Sequence, residues 1–199
     1  MSNLIALPAP QKDLGFPLMK ALENRKSTRK WKDEPLSDQE LSNLLWAACG
    51  ITKPATKNAK SKRTAPSACN SQEIKIYLAT RDGVYLYDEV NHQLLMKKSG
   101  SLMEHIGTQK MMHSAPVGLI YVADFSKMTN FLYKSDDERW FMATTDTGFV
   151  SQNVYLYCAA ANLSTVILGL VKREKLHALM GLEENEKIVF TQVVGKSRE

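Results

Sequence analysis

The feature that most restricts this chain is a turn set between two alternating runs. Ile74, Ile76 and Leu78 alternate with polar or half-polar residues, the period-2 pattern of a strand. Asp82-Gly83 separates that run from Val84-Tyr85-Leu86-Tyr87. A D-G pair in this position is the strongest short hairpin signal, because both central residues can take positive φ. An antiparallel pair near the middle of the chain is therefore expected.

Helical signals surround it. Residues 1–16, with Pro8, Pro10 and Gly15 among apolar neighbours, read as an extended arm. A helix follows from about Pro17, where Leu18, Met19 and Leu22 form an apolar stripe, and runs into Arg25-Lys26-Ser27-Thr28-Arg29. Ser37-Asp38-Gln39-Glu40 is a capping box, and the helix it opens carries Leu41, Leu44, Leu45 and Ala48 and stops at Gly50. Beyond the hairpin, a second box from Ser101 to Glu104 predicts a helix to about Met112, ended by Ala115-Pro116. Residues 117–123 read as a buried strand. The best helix covers about 145–161, with Val150, Val154, Tyr157, Cys158 and Ala161 on one face. A short strand at 165–168, a helix at 172–180 closed by Gly181 and a strand at 186–194 complete the order, before a basic tail at 195–199. This is an α+β layout, a small mixed and largely antiparallel sheet flanked by helices.

At 199 residues the chain suits a single domain, 1–199, and buries roughly 70% of its unfolded surface. Its 26 Lys+Arg against 21 Asp+Glu give a net charge of +5. Lys53, Lys57, Lys60, Lys62 and Arg63 concentrate part of that excess without an intervening acid. Such a stretch suits a nucleic-acid patch, a landing strip for phosphate-bearing molecules, or a plain solvated loop. No aromatic is interleaved to stack bases, so no nucleic-acid partner is expected. Cys49, Cys69 and Cys158 cannot all pair and form no C-x-x-C, and the four histidines are not spaced as zinc ligands. Reduced thiols and a cytoplasmic address are expected. MSNLIALPAP lacks a basic segment ahead of a long apolar one, and a leader removed before Met1 would leave no trace. The apolar runs are too short to span a bilayer, so no membrane association is expected.

Four constellations could carry chemistry. Arg25 and Arg29, four apart on a helical turn, would point the same way with Ser27 between them, a donor set for phosphate oxygens; the bland alternative is a basic helix end. The small residues Pro66, Ser67 and Ala68 with Asn70 would let a flat ligand approach closely and meet a donor and acceptor in one plane; the alternative is a polar turn. Cys69 has no His or Asp at a motif-like position and reads as a small packing residue. Leu168-Gly169 could turn a backbone N–H toward a ligand, or could be a simple turn. Lys196 and Arg198 are two cations after the last strand, or a frayed terminus. Phe125, Phe131, Tyr133, Trp140 and Phe141 could line a modest cover or pack a dimer interface.

Each signal is weak alone, and their order is specific. Arg-x-Ser-x-Arg, then Pro-Ser-Ala-x-Asn-x-Gln before a strand, Gln109 ahead of Ala115-Pro116, Asp146-x-Gly148 opening a long helix with Gln152-Asn153, then Leu168-Gly169 and a last strand ending in Gly195, together resemble the nitroreductase family. The resemblance runs from about Leu18 to Arg198 and is greatest to its compact members. It implies an intertwined homodimer with non-covalent FMN at the subunit interface. Arg25, Ser27 and Arg29 would hold the ribityl phosphate and flavin edge, with Arg198 and Lys196 adding charge. Pro66, Ser67, Ala68 and Asn70 would reach the flavin from the other subunit. Leu168-Gly169 would lie near N5, and Gln109 or Lys110 at the pyrimidine edge. NAD(P)H and then a small-molecule oxidant, a nitroaromatic or quinone, would use one site in ping-pong order. One departure is plain: the family often has Pro-Trp after the motif glutamine, whereas Gln72 precedes Glu73-Ile74. The contrasting possibility is a flavin-binding or partner-binding protein without turnover.

Overall fold

The hairpin is present at the heart of a seven-stranded antiparallel sheet. The computed structural model describes residues 4–198. Along it run β1 (Leu4–Ala6), α1 (Leu18–Asn24), α2 (Asp38–Cys49), β2 (Ile51–Lys53), β3 (Lys62–Arg63), β4 (Ile74–Ala79) and β5 (Gly83–Asp88). There follow β6 (Gln93–Ser99), β7 (Val117–Asp124), α3 (Asp136–Ala160), β8 (Leu163–Leu168), α4 (Arg173–Met180) and β9 (Glu186–Lys196). The main sheet has the order β1-β6-β5-β4-β7-β9-β8, and each of its pairings is antiparallel. β2 and β3 form a separate two-stranded ribbon.

β7 organises the sheet. It pairs with β4 on one side and β9 on the other, and all eight of its residues are buried. Strand side chains alternate between faces, so a strand covered on both sides has to be apolar throughout. Val117, Leu119, Tyr121 and Ala123 enter a core completed by Leu44, Leu45 and Ala48 of α2 and Val150, Val154 and Cys158 of α3. Ile120 and Val122 enter a second core on the other face with Ile106, Met112, Leu176 and Trp31. The α+β layout is thus helices against one face and irregular chain plus α4 against the other.

Several local expectations are corrected. The D-G turn closes from the Thr80 N–H to the Gly83 carbonyl at 2.9 Å, with Arg81-Asp82 central and neither at positive φ. Gly83 is needed for a different reason: a Cβ there would sit 2.5 Å from the Lys98 carbonyl oxygen of the neighbouring strand. The Ser101 box opens no α-helix. The Ser101 hydroxyl instead accepts from the Met103 N–H at 3.2 Å, and the segment makes short 3-10 turns at Met103–His105 and Lys110–Ser114. These lie flat on the second face, burying Met103, Ile106 and Met112 side by side, which a straight helix could not do. α3 begins well before residue 145. Ser135 and Glu138 form its capping box, so Asp146 and Gly148 are mid-helix rather than at its opening. Part of the arm at 1–16 is a strand, since Leu4 to Ala6 pair with β6; residues 1–3 lie outside the described part, as does Glu199 of the tail.

The basic stretch also divides. The Arg63 side chain is buried, ion-paired with Glu89 and bonded to the Ile74 carbonyl at 3.1 Å, so it anchors the β2–β3 ribbon. Lys53, Lys57, Lys60 and Lys62 are exposed.

Gly195 sets how closely the chain near Trp31 can approach β9. A Cβ there would lie 2.7 Å from Trp31 Cβ and 2.9 Å from Pro116 Cδ. Neither atom can swing aside without backbone movement. Gly195→Ala is therefore expected to destabilise the fold by about 1–3 kcal/mol, read as a lower urea midpoint.

Candidate functional site

The helix α1 stops at Asn24, and Arg25 already has extended backbone (φ −59, ψ 119). Arg25, Ser27 and Arg29 are therefore not on a helical turn. They belong to an irregular strip, and Arg25 and Arg29 line different clefts. The strip is pinned along the sheet by the Thr28 N–H to the Thr165 carbonyl (2.9 Å), Ser164 Oγ to the Lys30 carbonyl (2.7 Å), and the Lys32 N–H to the Lys196 carbonyl (2.9 Å). Tyr155 of α3 fastens it from beneath. Its hydroxyl meets Ser27 Oγ at 2.9 Å and accepts the Ile167 N–H at 3.1 Å, while the Arg25 guanidinium lies 5.4 Å from its ring centre. Sequence reasoning passed over Tyr155, whose place on the helix carries no local signal.

Arg29 stands where two clefts meet. One, of about 180 Å³, is lined by Arg29, Gln109, Leu168 and Gly169 together with the backbone at Gly107-Thr108. The other, of about 360 Å³, is lined by Arg29, Trp31, Arg81 and Arg198. Gly169 is exposed, and a Cβ there would meet nothing closer than Phe190 at 3.9 Å, so the cleft has room at this backbone. Arg173 fixes the turn by donating to the carbonyls of Gly169 (3.2 Å) and Val189 (2.7 Å). Arg25 lines a separate cleft of about 410 Å³ beside Tyr155. Lys196 is engaged with Glu34 at 3.7 Å.

A further cleft of about 290 Å³ shares Gly107-Thr108 with the Arg29 cleft and is lined by His105, Lys110, His113, Lys172 and Lys175 against one acid, Glu104. These basic residues are scattered in sequence, so only the fold reveals the group.

Pro66, Ser67, Ala68 and Asn70 lie elsewhere, on a tightly bonded loop. The Ala68 N–H donates to Asp146 Oδ2 at 2.9 Å, and Tyr133 donates its hydroxyl to the Ala68 carbonyl at 2.8 Å. Ser67 Oγ accepts the Gln72 N–H at 2.9 Å. Asn70 spends both ends of its amide locally, donating to the Ser61 carbonyl (3.0 Å) and accepting from Gln72 Nε2 (3.0 Å). Cys69, Asn70 and Gln72 adopt left-handed φ of 53°, 52° and 54°, rare for residues other than glycine. Cys69 is exposed, so it is not the packing residue expected.

The two groups are separated along α3. Asp146 holds the loop and Tyr155 holds the strip, nine residues and about 13 Å apart along the axis. The aromatic residues before and within α3 divide as well: Phe125 packs edge-on against Trp140 and Tyr133 is buried, whereas Phe131 and Phe141 are exposed. No described helix is long and apolar enough to cross a membrane.

Comparison with known proteins places this arrangement in context. The model of the nitroreductase family matches residues 22–196. A nitroreductase-named protein of Methanocaldococcus jannaschii is 28% identical over 173 residues, 82% of this chain and 83% of that one. A nitroreductase-named crystal structure from Ralstonia eutropha JMP134 is 34% identical, with a TM-score of 0.89, covering 100% of this chain and 91% of that one. The NADPH:FMN oxidoreductase of Vibrio harveyi, solved with NAD+, shares the fold at 19% identity and a TM-score of 0.65, over 92% of this chain and 69% of its own.

Tyr155→Phe removes one hydroxyl that serves two partners. It leaves the half-buried Ile167 N–H and the Ser27 hydroxyl without it, and a loss of about 1–2 kcal/mol in chemical denaturation is expected.

Proposed function

The chain belongs to the nitroreductase family, and from that premise we propose that it is an FMN-dependent oxidoreductase, using NAD(P)H to reduce a nitroaromatic, a quinone or a related small oxidant. The observation that carries this reading is the convergence of Arg29, Gln109 and Leu168-Gly169 on one cleft, with Arg198 on the cleft adjoining it. The residues suit the cofactor. Arg29 and Arg198 offer guanidinium forks to a phosphate, with Arg25 and Lys196 adding charge along the same strip and strand end. Gln109 supplies an amide edge matched to a pyrimidine ring. At Gly169 the backbone is open to a flat ring, with no side chain to hold it off. FMN, when bound, supplies hydride acceptance and donation.

The chain's own residues orient the participants. Arg173 holds the Gly169 turn, and Tyr155 with Ser27 keeps the arginine strip flat against β8. Pro66, Ser67, Ala68 and Asn70 serve the cofactor of a second copy. The loop is held at Asp146 and the arginine strip at Tyr155, about 13 Å further along α3, and this separation supports a shared, two-copy site. Leu18 and Met19 on α1 and Phe141 and Phe149 on α3 are large exposed apolar residues that a homodimer would cover. The cationic cleft of Lys110, Lys172 and Lys175 supports a phosphate-bearing reductant entering from that side. Reductant and oxidant then occupy the same face in turn. Free Cys49, Cys69 and Cys158 accord with a reducing, cytoplasmic setting.

The purified protein is expected to show flavin absorption that bleaches on anaerobic addition of NADPH or NADH. Flavin that binds and never bleaches would favour a binding protein without turnover. The paired change Arg25→Ala and Arg29→Ala is expected to weaken FMN binding by at least about a hundredfold, since each charge-assisted contact contributes roughly 1.5–3 kcal/mol. Retention of stoichiometric FMN would count against the assignment. Lys172→Ala with Lys175→Ala should raise KM for NADPH about threefold to tenfold and leave kcat nearly unchanged, since exposed charge pairs contribute little each.

A further inference from the structure

Beneath the loop at 66–72 two carboxyl groups face each other in the protein interior. Glu73 has no exposed surface, and among the described residues neither carboxylate oxygen has a well-formed hydrogen bond, although its own backbone N–H lies near. Asp146, mid-way along α3, is 3% exposed and accepts the Ala68 N–H on Oδ2. A buried carboxylate without a donor is strongly disfavoured, and a second carboxylate beside it makes matters worse. A proton between them removes both penalties at once, because the protonated acid donates to its neighbour. The proton belongs on Glu73, since the Ala68 N–H already favours charge on Asp146.

The surroundings leave the pair isolated. Arg63 of β3 faces it and its charge opposes the effect of burial; its two terminal nitrogens are committed to Glu89 and the Ile74 carbonyl, and its buried Nε–H has no partner. Lys127, after β7, reaches the Gln72 carbonyl at 3.3 Å. Asp124, at the end of β7, is held by Lys75 at 2.8 Å and meets residue 73 through the backbone, its N–H donating to the Glu73 carbonyl at 3.0 Å. Tyr133 donates to the Ala68 carbonyl, and the exposed Cys69 is on the loop itself.

We propose that Glu73 and Asp146 share a single proton, and that this proton locks the loop carrying Pro66, Ser67, Ala68 and Asn70 in its bonded, left-handed conformation. Glu73 is thereby a positioning residue for cofactor binding, acting through Asp146 and the Ala68 N–H. The consequence for FMN rests on the reading that this loop contacts the flavin. Burial, and then the Asp146 carboxylate, push the Glu73 carboxyl up to about 7. A raised acid stabilises the closed loop fully below the ordinary glutamate range, and that contribution is lost as pH rises through about 7. Loss of the proton leaves two buried negative charges side by side, and the loop loosens.

The test compares wild type with Glu73→Gln, whose amide can donate to Asp146 at every pH. Two quantities are followed from about pH 5 to about pH 8.5: FMN affinity by fluorescence, and hydrogen exchange of the Ala68 amide in the protein as purified. Wild type should bind FMN roughly tenfold more weakly at the alkaline end, with Ala68 protection falling alongside, while Glu73→Gln stays tight and flat. Identical profiles for the two proteins in both measurements would overturn the proposal. Protection at Ala68 that depends on Glu73 in a protein unable to bind FMN would keep the clamp and discard the flavin reading instead. Should Glu73→Gln fail to fold, Asp146→Asn keeps an acceptor for the Ala68 N–H and removes the like charge. The midpoint in Ala68 protection must then move to lower pH; an unmoved midpoint would also overturn the proposal.

Discussion

The packing of α3 across one face of the sheet governs where chemistry can occur in this molecule. Val150, Val154 and Cys158 bury in the core that Ile76, Leu119 and Tyr121 also enter, and the helix lies chiefly against β8 and β9. Among the polar side chains it carries into the interior are Asp146 and Tyr155. Each takes up a backbone N–H from chain that would otherwise leave it unpaired, Ala68 in one case and Ile167 in the other. Apolar burial that positions the helix thus also positions two irregular segments, and through them the candidates on the 25–29 strip and the 66–70 loop, but not Gln109, Lys196, Arg198 or the Gly169 turn. That turn depends instead on Arg173, which ties the end of β8 to β9.

The loop at 66–72 shows what such placement costs. Left-handed backbone at a residue other than glycine is unfavourable by roughly 1–2 kcal/mol, and Cys69, Asn70 and Gln72 each adopt it. A hydrogen bond contributes about 1 kcal/mol net. The loop's bonds to Asp146, Tyr133 and Ser61, with those among Ser67, Asn70 and Gln72, sum to a gain of similar size. A loop balanced this closely is shaped by whichever partner is weakest, which is why a carboxyl pair beneath it matters more than its small size suggests.

Much of this fold was legible where burial and period act together. The apolar run of β7, the Ser37 capping box and the Gly181 stop all stand where pattern put them, because one local cause suffices for each. Pattern failed where tertiary contact decided. Ser101 and Glu104 satisfy the spacing of a helix start, yet the face of the sheet required flat burial of Met103, Ile106 and Met112 and prevailed. The strand β6 went unread because Leu94, Leu95 and Met96 are consecutive and break the alternation. Among the residues that motif order singled out, Arg29, Gln109, Leu168 and Gly169 line one cleft and Arg198 lines the one adjoining it. Tyr155, Arg173 and the Lys110, Lys172 and Lys175 group were not so marked, since each acts by meeting residues distant in sequence.

β9 lies between β7 and β8, although it follows both along the chain. Until it enters, the two older strands have no shared partner, and the sheet exists as two unconnected pieces. The strip at 25–32 meanwhile lacks the Lys196 carbonyl and the Ser197 bridge that hold its far end. During synthesis, the first arginines of the site are therefore made early and seated late. Such long-range closure slows folding and leaves strand edges exposed while it is pending. The strip at 25–32 gains the anchorage of its far end only when β9 slides between β7 and β8.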